Sequence, residues 1–439
     1  MFVNEKRNGE LELELRHANS IIFQIKSIFF NCVLLYYALY VVVFSLVLQV
    51  FMERPSRKAA TMALKTIWGE ESSSEDEIDL DDESDETELE DVVEEDNSSD
   101  SSDSDESDYE EASLVAKNGE EWSLIPHVMT GRTNSSNILT TALGPKQCVK
   151  NLVTEEKEAF ELFFTSEMIN LIVECTNNEA ERRTTSWKAT THDEIKMLIG
   201  LLILAGVFKS KGESLESLWG SNGRKIFPQF MSLHRVKSLL RYLRFDDRNT
   251  RNNRKAKDKF APVRELFELL QKQLPKYFNP SESITVDEQL VAFRGRCSFR
   301  QYMPFKPAKY GLKFFVATCS ETSFVLSLKP YLGKENNEIA VNLGSKVVIE
   351  LVKNYEGTGR NVTTDNFYTS LDLLRELKRR KLTLVGTIRK HRREIPPMAL
   401  ISKGREINDC RFLYNKDATL LSLIPRKNKT CLILSSMHT

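Results

Sequence analysis

At 439 residues the chain is long enough for two or three domains, and 41% hydrophobic content is compatible with a sizeable core. The net charge of -2 conceals an asymmetry: of 63 Asp and Glu, 24 lie in residues 70–111, which hold no Lys or Arg, so the remainder carries 61 basic against 39 acidic residues. A basic body joined to an acidic segment points to a polyanionic partner, while seven scattered cysteines with no CxxC pair exclude a disulfide scaffold and a cysteine-based zinc site.

Residues 1–26 form a short leading segment that is too acidic for an ordinary secretory signal. Residues 27–52, "SIFFNCVLLYYALYVVVFSLVLQVFM", contain no charge and are long enough to cross a bilayer as a helix. They read either as a transmembrane helix or as non-native translated sequence ahead of a start at Met52 or Met62. Residues 53–121 read as an acidic disordered region, because a self-repelling segment so poor in aromatics buries too little surface to offset its ordering entropy.

From Trp122 to residue 260 the period is helical. "EAFELFFTSEMINLIVECTN" (158–177) predicts one helix with Phe160, Phe163, Phe164, Met168, Leu171 and Ile172 on its inner face, and "THDEIKMLIGLLILAGVF" (191–208) a buried core helix capped by His192 or Asp193. "SLHRVKSLLRYLRFDD" (232–247) predicts an amphipathic helix with Val236, Leu239, Leu240 and Leu243 inside and His234, Arg235, Lys237, Arg241 and Arg244 outside. "RNTRNNRKAKDK" (248–259) reads as a mobile basic linker beside a domain boundary.

A further helix near 261–274 precedes strands at 284–293, 310–320 and 323–332, a helix at about 344–354, a strand leading into "NVTTDNFYTS", a helix over "LDLLRELKRR" and a strand over "KLTLVGTI". Three strands, helix, strand, helix, strand is the α/β order of a ribonuclease H-like core, assigned to residues 261–439. Within "ITVDEQLVAFRGR" (284–296), Asp287 and Glu288 interrupt a strand pattern that usually avoids acids, so Asp287 is either a functional carboxylate or the partner of a cation such as Arg294. "VTTDNFYTS" supplies a second acid, Asp365, at a strand end. In the ribonuclease H-like order the first and fourth strands are neighbours, so Asp287 and Asp365 would face each other and hold Mg²⁺ or Mn²⁺.

The blocks "EIKMLIGLLILAGV", "FMSLHRVKSLLRYLRFDD", "ITVDEQLVAFRGRCSFRQYMPFKPAKYGLKFF" and "TTDNFYTSLDLLRELKRRKLTLVGTIRKHRREIP" resemble, in order, those of the piggyBac transposases and their domesticated derivatives, over about residues 150–438. The resemblance implies that Asp287 and Asp365 are catalytic, metal-binding acids, that residues 122–260 are a helical dimerisation and DNA-binding domain, and that the chain forms a homodimer on double-stranded DNA in the nucleus. Arg294, Arg296, Arg300, Lys306, Lys309, Lys313, Arg389, Lys390, Arg392 and Arg393 are the candidate DNA-binding cations. The family's next catalytic Asp lies in a VDxxDQ-like segment beyond an "LLSSMH"-type strand, and the sequence ends at "LILSSMHT". The expectation is therefore a transposable element-derived DNA-binding protein that is catalytically incomplete and holds metal weakly. The alternatives are an active metal-dependent cut-and-paste transposase with a TTAA target, if the natural chain is longer, and a membrane-anchored derivative.

Overall fold

In a computed structural model the described residues are 114–126, 138–139, 143–210, 213–295, 297–333 and 342–438. The leading segment, the apolar run 27–52 and the acidic segment 70–111 lie outside them. Among the described residues no helix is long and apolar enough to cross a membrane.

The chain enters through β1 (Gly144–Pro145) and α1 (Gln147–Leu152). The single helix expected over 158–177 is two, α2 (Glu156–Phe163) and α3 (Ser166–Arg183). Thr165 takes extended backbone as the α3 N-cap and breaks the ladder, while Phe163, Phe164, Met168, Ile169 and Ile172 stay buried on both sides of the break. Apolar spacing alone therefore cannot reveal the break; the Thr-Ser-Glu start signal can. α4 (His192–Val207) is capped by Thr191, whose hydroxyl accepts the Glu194 N–H, and not by His192 or Asp193. Two short helices, α5 (Leu215–Trp219) and α6 (Ile226–Phe230), lead to α7 (Leu233–Tyr242), which buries Val236 and Leu239 as its period requires.

The basic face expected on α7 is only partly free. Arg235 is clamped by Glu194 at 2.6 Å and lies 4.4 Å from the Trp187 ring centroid, and Arg244, beyond the helix, joins Arg182, Arg183 and Arg248 around the buried Glu179. The segment expected as a mobile linker is mostly α8 (Arg248–Lys255), started by the Asp247 carboxylate and pinned by buried Arg251 against buried Asp246. Sequence composition gave no apolar stripe there; a buried ion pair holds the helix instead.

α9 (Ala261–Tyr277) buries Val263, Leu266, Leu270 and Leu274 and runs into β2 (Phe278–Asn279), which pairs with β1. β3 (Ser283–Ala292), β4 (Gln301–Tyr302), β5 (Tyr310–Cys319) and β6 (Val325–Pro330) follow, then α10 (Leu343–Val352), β7 (Asn361–Thr364), α11 (Leu371–Arg379) and β8 (Thr383–Thr387). A short α12 (Pro397–Leu400) precedes β9 (Cys410–Tyr414) and β10 (Thr419–Arg426), two strands absent from the sequence expectation, and β11 (Lys429–Ser435), which falls on the "LILSSMHT" strand that the resemblance implied.

The main sheet runs β4-β5-β3-β7-β8-β11-β10-β9, with β6 also on β5. β3 is antiparallel to β5 and parallel to β7, and β7 is parallel to β8. The order β6-β5-β3-β7-β8 places the first and fourth core strands side by side, consistent with the ribonuclease H-like order. The outer side of β6 is covered by α9, whose Gln271 side chain donates to the Leu328 carbonyl and accepts its N–H, satisfying an edge that would otherwise invite pairing. One continuous cluster of buried apolar residues joins the helices to this sheet. Buried Arg360, at the start of β7, donates to the carbonyls of Pro280 and Ser281 and so locks β7 beside the entry to β3.

Candidate metal and DNA site

Register builds the site. Val286 of β3 stands opposite Thr364, the last residue of β7, so the next residue on each parallel strand, Asp287 and Asp365, emerges at the same level. β3 continues to Ala292 against β5 alone, leaving its β7-side edge open beyond Val286, and Glu288 reaches the same place. Oxygens of Asp287, Glu288 and Asp365 lie within 4.8 Å of one another. The sequence reading brought the two aspartates together and missed Glu288, because strand alternation sends successive side chains to opposite faces. The available signal was the acid pair itself in an otherwise apolar strand.

The turn after β7 is held from below. The Phe367 N–H donates to the Asp365 carboxylate at 3.0 Å, the Thr369 hydroxyl donates to the Asp365 carbonyl at 2.7 Å, and Thr364 and Thr369 share a hydroxyl hydrogen bond. Gly386 of β8 lets its strand press on this turn: a Cβ there would fall 2.4 Å from Thr369 Oγ1 and 2.5 Å from the Thr364 carbonyl oxygen. Ser370 then caps α11.

Burial pushes the Asp365 carboxyl above its ordinary range, with the Glu288 and Asp287 charges adding to the shift. Asp287 is raised chiefly by burial too, helped by the Glu288 charge and opposed by the Glu288 N–H and by Lys306. The phenol of fully buried Tyr368, raised by burial and then by all three acids, has no hydrogen-bond partner among the described residues. Crowded carboxylates that raise one another's affinity for protons will equally favour another cation, and three hard oxygen donors suit Mg²⁺ or Mn²⁺. The residues present therefore fit a divalent ion.

Of the candidate DNA-binding cations, Lys306 bridges to Glu288 at 3.5 Å. The Lys313 ammonium and the Arg389 guanidinium lie 5.6 and 5.9 Å from the centroid of Phe367, two residues beyond Asp365. Arg294, Arg300 and Lys309 are exposed on the β3–β5 connection, and Arg300 donates to the carbonyls of Arg294 and Gly295. Lys390, Arg392 and Arg393 follow Arg389 on the loop before α12. Arg296 lies outside the described residues. Of the cations that competed with the metal reading, Lys306 is the one whose charge lowers the Asp287 pKa, and Arg294 is not among the main causes of its shift.

The family described as Transposase IS4 matches residues 155–439. Among curated proteins the chain is 26% identical over 266 residues to human PiggyBac transposable element-derived protein 2 and 27% identical over 269 residues to human PiggyBac transposable element-derived protein 3. These matches cover 59% and 58% of the chain, which spans 44% of the length of each relative. A cryo-EM structure titled as a piggyBac transposase synaptic complex with hairpin DNA superposes with a TM-score of 0.65 at 35% identity, covering 68% of this chain and 64% of that one. With the family match over most of the chain, relatives of the same kind and a shared sheet core, the chain belongs to the piggyBac transposase family.

Proposed function

We propose that this protein is a transposase-derived, double-stranded DNA-binding protein of the nucleus in which Asp287, Glu288 and Asp365 hold one divalent cation at the DNA backbone. The observation that carries this reading is the convergence of those carboxylates where β7 ends beside the middle of β3, with Lys306 bridged to Glu288. The solved relative is a complex with hairpin DNA, which supports the choice of polyanion.

Asp287 and Asp365 would supply the principal ligands, and Glu288, already bridged to Lys306, the weaker third. When bound, the ion would polarise a phosphodiester and acidify a water beside it. Lys313 and Arg389 would draw phosphates toward the Phe367 turn, and Arg294, Arg300 and Lys309 would track the backbone beyond it. Three carboxylates on the described residues, one shared with a lysine, support one ion with a partial water shell and not a two-ion site; the protein would accordingly bind DNA and cleave it slowly or not at all.

The test is Mn²⁺ titration of the full chain by calorimetry. Binding near one equivalent should vanish in Asp287→Asn and in Asp365→Asn and weaken in Glu288→Gln. Unchanged titrations in both Asn variants would remove the metal site, and rapid Mn²⁺-dependent nicking of plasmid DNA by this chain would overturn the assignment of incomplete chemistry.

A further inference from the structure

The connection between β3 and β5 carries a surface that phosphate attraction leaves unexplained. Phe305 is 70% exposed, Tyr302 44% and Tyr310 42%. Tyr302 and Tyr310 are register partners on β4 and β5 with ring centroids 4.7 Å apart, and the Arg300 guanidinium lies 5.2 Å from the Tyr310 centroid. The loop between them is braced: Met303 N–H donates to the Lys309 carbonyl at 2.7 Å, Lys306 N–H to the Met303 carbonyl at 3.1 Å, and prolines at 304 and 307 fix φ on both sides of Phe305 and Lys306. The Lys306 ammonium, on the residue after Phe305, reaches Glu288 of the acid cluster, which ties this loop to the site while most of the Phe305 ring stays in water.

Exposing a phenylalanine to this extent on a stiff loop gives no packing return, which points to a partner. That partner should be anionic, because residues 289–320 contain six Lys and Arg and no Asp or Glu; a second copy of the same surface would be repelled. Paired bases in a duplex keep their faces inside the stack, whereas unpaired bases offer both a π-face to an aromatic ring and a phosphate to a neighbouring cation. We propose that Tyr302, Phe305 and Tyr310 form a stacking platform for unpaired nucleobases of single-stranded DNA entering beside the acid cluster. Phe305 takes the base nearest the carboxylates, the Tyr302–Tyr310 pair takes the next, and Arg294, Arg300 and Lys309 hold the intervening phosphates. This deepens the DNA-binding reading above, on which it rests.

The experiment measures binding of the full chain to a labelled oligothymidylate of about 12 nucleotides and to a duplex of the same length by fluorescence anisotropy. Phe305→Ala and Phe305→Leu should each weaken oligothymidylate binding about tenfold and change duplex binding less than about twofold, while Phe305→Tyr keeps both. Oligothymidylate binding by Phe305→Leu equal to wild type would overturn the platform, as would equal losses on both DNAs. Loss of self-association in Phe305→Ala with unchanged oligothymidylate binding would assign the surface to a second copy instead. A wild-type chain that binds duplex but no oligothymidylate defeats this inference alone, and one that binds neither at low salt defeats the DNA-binding reading with it.

Discussion

Replacing Asp365 with Asn should stabilise the metal-free protein at neutral pH, although it removes a ligand. Asn keeps an oxygen for the Phe367 N–H, so the turn loses no hydrogen bond, and what disappears is charge. With the three acids within 4.8 Å, each pair of like charges repels by about 3 kcal/mol at an effective dielectric constant of 20 and by about 1 kcal/mol in water. Asp287 and Asp365 keep solvent-exposed surface although the protein around them desolvates their carboxylates, so solvent screening holds each pair nearer the smaller figure, and the variant removes two of the three pairs. The expected gain is about 1–2 kcal/mol at pH 7.5, or roughly 2–4 °C in melting temperature for each kcal/mol. The pH dependence has a definite sign. Because folding raises the Asp365 pKa, the penalty is absent below the ordinary carboxylate range, where folded and unfolded chains are both protonated, and grows as pH rises through the raised folded value. Thermal melts of wild type and variant at pH 4 and pH 7.5, in chelator and in Mn²⁺, separate the effects. The advantage of Asp365→Asn should appear only at the higher pH without metal, and Mn²⁺ should raise the wild type alone. A variant less stable than wild type at both pH values, or one raised equally by Mn²⁺, would refute the reasoning.

Two further substitutions address the framework. Gly386→Ala places a methyl group against Thr369 Oγ1 and the Thr364 carbonyl, so urea denaturation should register a loss on the order of 1–3 kcal/mol and Mn²⁺ affinity should fall as the Asp365 turn shifts; wild-type stability would contradict the contact. Glu179→Gln takes the negative charge from four arginines, of which Arg244 is half-buried with its pKa pushed down by desolvation to about 10, and should cost about 3–5 kcal/mol at neutral pH. Since Glu179 titrates below its ordinary value, that difference should narrow as pH falls through the carboxylate range, and a difference independent of pH would show that charge is not its source.

The core strands were legible because β3, β5, β6, β7 and β8 are apolar, β-branched runs bounded by turns, and their order was enough to bring Asp287 and Asp365 together. Two kinds of feature were not. Glu288 depends on β3 outrunning β7, a mismatch of strand lengths that residue patterns do not encode. α8 and the inward arginines depend on Glu179 and Asp246, acids that look solvent-exposed in sequence and are buried in the fold. β9 and β10 escaped because their apolar residues follow a loop-rich stretch with no repeated period before it, whereas β11 was reached only through the resemblance, and it pairs directly with β8 and extends the same sheet.

The cations of the helical region and those near the acid cluster are held in different ways. In the helical region, Arg182, Arg183, Arg244 and Arg248 gather on Glu179 and Arg251 and Arg254 on Asp246, so these guanidiniums are fixed in place by the fold while most of their positive charge remains. Around the acid cluster the arrangement differs: Lys306 meets Glu288, but Lys313 and Arg389 lie against the ring of Phe367 and Arg300 against that of Tyr310. An aromatic face orients a cation without cancelling its unit charge. Arg300 and Arg389 thus lie against aromatic rings near a negative centre, and under the proposed function a phosphate backbone would be drawn to such cations and a divalent cation to the carboxylates, each favouring the other's approach. A uniformly basic groove would bind DNA as well but would repel a metal; under the proposed function, keeping the carboxylates on β3 and the Phe367 turn apart from the cations is what would let one surface attract both.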